Sequence, residues 1–344
     1  MSPSRRITVH DVAARAGVSQ PTVSLVLSRN PRARIAPETR ERVLRAAEEL
    51  GYRTNLLARG LTQQRSWALG LVVLDLRNPF FADVVAGAER VATEEGYALL
   101  LTEAGEGGAA RRVEALQARL VDGVIIDAVG AAALPEPLLE KLNVVLIDEP
   151  SERWPGVASD AAGAGRLAAE HLLDLGHRRI GFIGPATDVH GVRLRERGFV
   201  QALRERGVRL DSGLLRRAPG TASGGREAMR AMLAQRERPT AVFCSNDLVA
   251  VGALKACADA GVVVPRDCSV VGCDDIEMAR FVSPELTTVA IPARELGARA
   301  ARLLIRRLAD AGADAVVLVP PMDMDPNAWL ESVGTELLPI VPGR

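Results

Sequence analysis

The sequence predicts two parts: an all-α helix-turn-helix head, and an α/β body built on parallel sheet flanked by helices. Three observations carry this reading. The first 65 residues hold short amphipathic segments broken by a glycine turn and rich in arginine. From Trp67 onward, short apolar runs alternate with amphipathic helical stretches, the pattern of buried parallel strands and crossover helices. Several of those runs end in aspartate, at the strand ends where open α/β sheets bind ligands.

The head comes first in the chain. Thr8 and Asp11 fit a capping box, and Val12, Ala13 and Ala16 share one helical face. Gly17 stops that helix because the turn needs a positive φ. Ser19 can cap a second helix, with Pro21 tolerated in its first turn. Val23, Val26 and Leu27 face inward there, leaving Gln20, Thr22, Ser24 and Leu25 mostly outward. Two short helices around such a turn form a helix-turn-helix, whose second helix presents its N-terminal side chains to base edges. Gln20 could pair with adenine and Leu25 could pack on a thymine methyl. A third helix is expected from about Pro37 to Leu50, with Val43, Leu44, Ala47 and Leu50 as its buried stripe.

Charge separates the two parts. Residues 1–65 carry twelve arginines against five acidic residues, while the whole chain of 344 residues is formally neutral. A basic head on an acidic body points to a polyanionic partner for the head. The body begins with ALGLVVLDL and continues through YALLLTEA, VDGVIIDA, VVLIDEP, RIGFIGPA, AVFCSND and CSVVGCDD. Asp75, Asp127, Asp148, Asp247 and Asp274 stand at the ends of these runs. Each has a plainer alternative, since a strand-end aspartate often caps the following helix. With 48% hydrophobic residues but only 3% aromatics, the cores must be built from Ala, Leu and Val. Cys244, Cys257, Cys268 and Cys273 form no CxxC pair and read as small buried hydrophobes, so no metal or disulfide is expected.

The strings ITVHDVAARAGVSQPTVSLVL, PETRERVLRAAEELGY and NLLARGL resemble the DNA-binding head of the LacI/GalR regulators. The resemblance continues through NPFFADVVAGAERVATEEGY, HLLDLGHRRIGFIGP, RLRERGF, CSNDLVAVGALKA and VVGCDDIEMARFVSPELTTV. It implies a DNA-binding domain over 1–52, a hinge helix over 53–66, and an effector-binding and dimerisation domain over 67–344. The body should have a periplasmic-binding-protein-like fold: an N-subdomain of about 67–160 plus 291–320, and a C-subdomain of about 161–290 plus 321–344. Gln20, Pro21 and Leu25 would be base-reading positions. The full candidate DNA set is Thr8, Ser19, Gln20, Pro21, Thr22, Ser24, Leu25, Asn30, Arg34, Ala58 and Leu61.

In the hinge, Leu61 would wedge into the minor groove, an unstacking of a few kcal/mol that added contacts offset. Read by itself, without the resemblance, the segment is better taken as a plain linker. Carried over residue by residue, the effector pocket would comprise Phe80, Phe81, Asp148, Asp160, Arg193, Asn246 and Asp274. Carboxylates and a guanidinium suit a polyhydroxylated ligand. Departures from the family pattern are Ala36, where a Ser or Thr cap is usual, Ile291 in place of a common Gln, and Pro219, where many members carry an aromatic. Beyond Val319 the tail departs too, and it carries no leucine heptad.

These readings predict a homodimer on a pseudo-palindromic double-stranded operator, released or tightened by a small molecule. A sugar or sugar derivative leads, with a nucleoside or other metabolite open; activation rather than repression also stays open. The rival classes are an enzyme and an exported solute-binding protein. Against the first, the chain has no GxxxxGK[ST], HExxH or GxSxG, and no cofactor or catalytic residue is expected. Against the second, the N-terminus shows no apolar signal core. A cytoplasmic, nucleoid-associated protein without a membrane span is expected.

Overall fold

The computed structural model describes residues 7–27, 35–52, 66–104, 109–118, 121–127, 136–149, 151–186, 189–309 and 317–319. Asn30, Arg34, Ala58, Leu61, the remainder of the expected hinge over 53–65, and the tail beyond Val319 lie outside these residues. The chain divides into two compact units, Met1–Ser66 and Trp67–Arg344.

In the first unit, α1 (Val9–Ala16), α2 (Gln20–Leu27) and α3 (Pro37–Glu49) share one small core. The capping box forms as the sequence predicts. Asp11 N–H donates to Thr8 Oγ1 at 3.4 Å and Thr8 N–H donates to Asp11 Oδ2 at 2.8 Å. Gly17 ends α1 at φ 64°. The inward stripe of α3 is Val43, Ala46 and Ala47, not the set containing Leu44. Leu44 is 49% exposed, because it lies about 100° around the helix from Val43 and so off the i, i+3, i+4 stripe. Alanine at 46 and 47 keeps the three helices close. An Arg15–Glu49 ion pair at 2.5 Å links α1 to α3 on the surface.

The second unit contains two parallel sheets. The first holds β1 (Ala68–Val73), β2 (Ala98–Glu103), β3 (Gly123–Asp127), β4 (Val144–Ile147), β5 (Gly156–Ser159) and β11 (Val317–Val319), in the order β11-β5-β4-β3-β1-β2. The second holds β6 (Ile180–Pro185), β7 (Leu215–Ala218), β8 (Ala241–Cys244), β9 (Ser269–Asp274) and β10 (Thr287–Ala290), in the order β10-β9-β8-β6-β7. The chain leaves the first sheet after Ser159 and returns from the second after Ala290. All seven apolar runs singled out in the sequence are strands. YALLLTEA differs in one respect: β2 is an edge strand and is not buried on both faces.

Helices cover the sheets in pairs: α4 (Pro79–Glu94) with α11 (Ala293–Ala309), α7 (Ala161–Asp174) with α8 (His190–Glu205), and α9 (Ala222–Leu233) with α10 (Asp247–Asp259), while the shorter α5 (Ala109–Ala118) and α6 (Glu136–Leu139) follow β2 and β3. Each pair meets through reciprocal glycines. A Cβ on Gly165 would overlap the Arg195 carbonyl, and one on Gly198 would overlap that of Ala162. Gly87 and Gly297 make the same close approach in one pair, and Gly225 and Gly252 in the other. Three of the six phenylalanines pin α8 to the second sheet. Phe199 stacks on Phe182 of β6 at 5.6 Å and lies 5.0 Å from Phe243 of β8 between ring centroids. All three are fully buried, and truncating one such ring costs about 3–5 kcal/mol.

Candidate DNA-reading helix and ligand cleft

The outward face of α2 is the one the sequence assigns to DNA. Gln20, Pro21, Ser24 and Leu25 are exposed, while Val23 and Val26 are buried beneath them. Ser19 and Thr22 are committed locally. Thr22 N–H donates to Ser19 Oγ at 3.4 Å, and the two hydroxyls are 2.9 Å apart. Thr8 likewise serves the cap of α1. The first turn of α2 is therefore held in place by its neighbours, with Gln20 and Pro21 left facing solvent.

In the body, charged side chains gather at the carboxyl ends of both sheets. Asp127 closes β3, and its backbone neighbour across the ladder is Ile147, so Asp148 lies one residue beyond it on the next strand. Asp274 closes β9. Arg195 reaches these groups from α8, and the reason is periodicity. Gly191, Arg195 and Phe199 recur every four residues and share a stripe. Phe199 anchors the stripe on the sheet, whereas a Cβ at Gly191 would stand 3.6 Å from Asp148 Cβ. Arg195 lies between them. It donates to the Ser245 carbonyl and its Nη1 lies 3.6 Å from Asp274 Oδ1. Both side chains of this ion pair are below 10% exposed, at 8% and 7%.

Backbone strain is concentrated here. Asp148 has φ 52°, Asp274 φ 134° and Asp275 φ 57°, conformations that glycine favours and that cost other residues about 1–3 kcal/mol each. Hydrogen bonds hold the strained turns. Asp148 Oδ1 accepts from Ser159 N–H at 2.6 Å and from Ser159 Oγ at 2.9 Å. Asp247, fully buried, accepts from Ile276 N–H at 2.9 Å and from Thr288 Oγ1 at 2.5 Å, fixing the turn after Asp274.

Burial pushes the Asp127 and Asp274 carboxyls well above their ordinary range. Neighbouring acids add to the rise at both, and Arg195 partly offsets it at Asp274. Asp148 is raised too, by burial, against the pull of Ser159. Burial opposes the Arg195 cation, but the acids around it, Asp274, Asp148 and Asp247, act the other way, and it stays charged.

The other expected pocket residues each have a local partner. Arg193 is exposed and lies 3.1 Å from His190 Nδ1. Asp160 caps α7, accepting from Gly163 N–H at 2.7 Å. Asn246 caps α10 by accepting from Val249 N–H at 2.8 Å, and it donates to the Gly220 carbonyl at 3.2 Å. Phe80 and Phe81 are buried at the start of α4, edge to face at 5.4 Å. Pro219 is exposed and Ile291 is buried. Arg195 is not among the residues the sequence singles out, and only the packing of Phe199 on Phe182 and Phe243 turns it inward. Asp127 stands out in the sequence only as a strand end. The four cysteines are free and buried. Among the described residues no group of His, Cys, Asp and Glu could hold a metal, and no helix is long and apolar enough to cross a membrane.

A three-helix head with an exposed reading helix, attached to a two-sheet body with buried charges gathered at its strand ends, defines a DNA-binding regulator of the periplasmic-binding-protein-like class. Comparison with known proteins agrees. Residues 8–55 match the model of the lacI family of bacterial regulatory proteins, and residues 169–325 match a periplasmic binding protein-like domain. The transcriptional repressor PurR of Mannheimia succiniciproducens is 34% identical over 92% of this chain and 96% of its own length. The ribose operon repressor of Escherichia coli is 35% identical over 88% of this chain and 93% of its own. The lac repressor dimer bound to operator and the anti-inducer ONPF superposes with a TM-score of 0.79 at 28% identity, covering 92% of this chain and 97% of that one. The chain belongs to the lacI family of bacterial regulatory proteins, DNA-binding transcriptional repressors.

Proposed function

We propose that this repressor binds a pseudo-palindromic operator as a homodimer and that a small hydroxyl-rich effector in the body's cleft sets its operator affinity. On DNA, Gln20, Pro21, Ser24 and Leu25 would face base edges, and head arginines the phosphates. The observation that carries the effector reading is the buried Arg195–Asp274 pair at the strand ends. A guanidinium and a carboxylate in a dry cleft are paired donors and acceptors for vicinal hydroxyls. Phe80 and Phe81 would form its apolar floor, and Arg193 its rim.

Related proteins support a sugar or sugar derivative. They include a lacI-family regulator of Enterococcus faecium with bound ribose, with a TM-score of 0.67 at 29% identity over 74% of this chain and 95% of that one. Another is the regulator CelR in complex with cellobiose, with a TM-score of 0.68 at 31% identity over 92% of this chain and 97% of that one. The effector would act by favouring one angle between the two sheets' halves of the body, biasing the DNA-competent form.

The test is a thermal-shift screen of the full chain against sugars and nucleosides, paired with operator binding by fluorescence anisotropy. A ligand that raises Tm should also change operator affinity. Asp274→Asn should weaken that ligand about 10- to 100-fold while leaving operator binding in its absence intact. Arg193→Ala should respond almost as the parent does. A full response from Asp274→Asn would place the site elsewhere.

A further inference from the structure

The cleft holds more negative charge than a neutral polyol needs. Asp148 and Asp274 stand beside the Arg195 cation, while Asp127 stands beside those two acids and not beside Arg195. Asp127 is 2% exposed, and its Oδ2 has no hydrogen-bond partner. Arg195, 6% exposed, leaves its Nε unpartnered. Buried polar atoms are rarely left unsatisfied, and each one that is needs an explanation, of which a bound partner is one. Asp127 has no evident structural task. It ends a central strand whose other side chains are all apolar, and its ladder hydrogen bonds need no carboxylate. By contrast Asp247, equally buried, spends both oxygens on the fold.

The placement of Asp127 is specific. Adjacent strands lie about 4.8 Å apart, and Asp127 and Asp148 sit at the ends of the neighbouring strands β3 and β4. The stripe of α8 brings Arg195 up beside Asp148, and Asp274, at the end of β9 in the second sheet, lies 3.6 Å from Arg195. Arg195 can neutralise one carboxylate. The other two must take up protons or receive a cation. Burial and the charges of Asp148, Asp274 and Glu149 all push Asp127 toward the protonated form. A positively charged ligand group would let it ionise and supply the missing partner.

We propose that the effector is a cationic hydroxylated molecule, an amino sugar or similar polyol amine. Its ammonium group is held by Asp127 and Asp148, and its hydroxyls by Arg195 and Asp274. This rests on the reading of the cleft as the effector site and narrows it to one chemical class.

The experiment uses matched pairs on the full chain: D-glucosamine against D-glucose and D-galactosamine against D-galactose, with putrescine as an amine lacking hydroxyls. Tm and operator affinity are read for the parent and for Asp127→Asn. The expected result is that an amino member shifts both readouts and its neutral counterpart does not. Asp127→Asn should then weaken the amine by about tenfold or more. Because Asn, at nearly the same volume, needs neither a buried charge nor a proton taken up against its ordinary pKa, the ligand-free variant should also melt higher than the parent at neutral pH.

Neutral sugars that act as strongly as their amino partners, unaffected by Asp127→Asn, overturn the charge assignment and leave the effector reading standing. Silence from every probe, in protein that still binds operator, overturns the amine class and counts against the effector reading as well. A lower ligand-free Tm for Asp127→Asn shows the carboxylate to be structural and overturns the proposal independently of any ligand. A shift by putrescine equal to that of the amino sugars overturns the hydroxyl half of it.

Discussion

At the scale of single residues, the cleft is held in shape by a buried acid that no ligand need touch. Asp247 receives Ile276 N–H and Thr288 Oγ1, and these two contacts brace the turn that carries Asp274 at φ 134°. Asp247→Ala should cost about 2–4 kcal/mol in urea unfolding, since it strands the buried donors Ile276 N–H and Thr288 Oγ1. It should also blunt the effector response even where the protein still folds. His177 braces the opposite end of the same sheet. Its Nδ1 lies 3.0 Å from Thr240 Oγ1 and its Nε2 3.0 Å from Ser269 Oγ. Burial, with a smaller push from His171, holds its pKa below the ordinary 6.5. The sign follows: the folded state resists the proton that the unfolded state accepts, so the stability present above 6.5 falls as pH drops through the lowered pKa. His177→Gln should flatten the fall in Tm between neutral pH and about pH 5. A slope as steep as the parent's would assign the acid sensitivity to other groups.

At the scale of elements, the sequence was readable where one rule dominated. Capping chemistry at Thr8 and the positive φ at Gly17 set the head, and continuous apolar runs marked the central strands. The strands it did not single out, β5, β7, β10 and β11, are only three or four residues long and mostly lie at or near sheet edges, too short for periodicity to register. The same limit explains the site. Aspartates at strand ends were legible because strand ends are. Arg193 and Arg195 differ only in helical phase, and that phase is fixed by Phe199 packing on Phe182 and Phe243, a tertiary fact. The glycine-mediated helix pairs were not legible either, since a helical glycine is locally unfavourable and is explained only by its partner helix. Gly165→Ala tests that device. Its Cβ would overlap the Arg195 carbonyl, so α7 and α8 must separate. Overpacking of this kind costs about 1–3 kcal/mol, partly offset by the gain in helix propensity. The loss of effector response should exceed what that destabilisation explains, because Arg195 moves with α8. A variant that melts lower yet responds normally would show that Arg195 tolerates the shift.

At the scale of the whole molecule, charge is partitioned by task. The head concentrates arginine around a core made almost wholly of Val and Ala, whereas the body is acidic and keeps its buried charge for the cleft. A small head of this kind has little apolar area to bury, so little of its stability is in excess. Its affinity for DNA should therefore come chiefly from counterion release, with base contacts adding discrimination. The outward face of α2 supports this, because Pro21 has no side-chain donor and the Leu25 side chain is a hydrocarbon. Each phosphate neutralised contributes about −0.9 to the slope of log affinity against log salt. Anisotropy titrations across a salt series should thus give a steep linear fall. Gln20→Ala should lower affinity by about 1–3 kcal/mol on the selected operator, compress the margin over unrelated DNA and leave the slope unchanged. If Gln20→Ala instead weakened binding equally on all sequences, Gln20 would be a phosphate contact and the reading of α2's first turn would have to shift by one face.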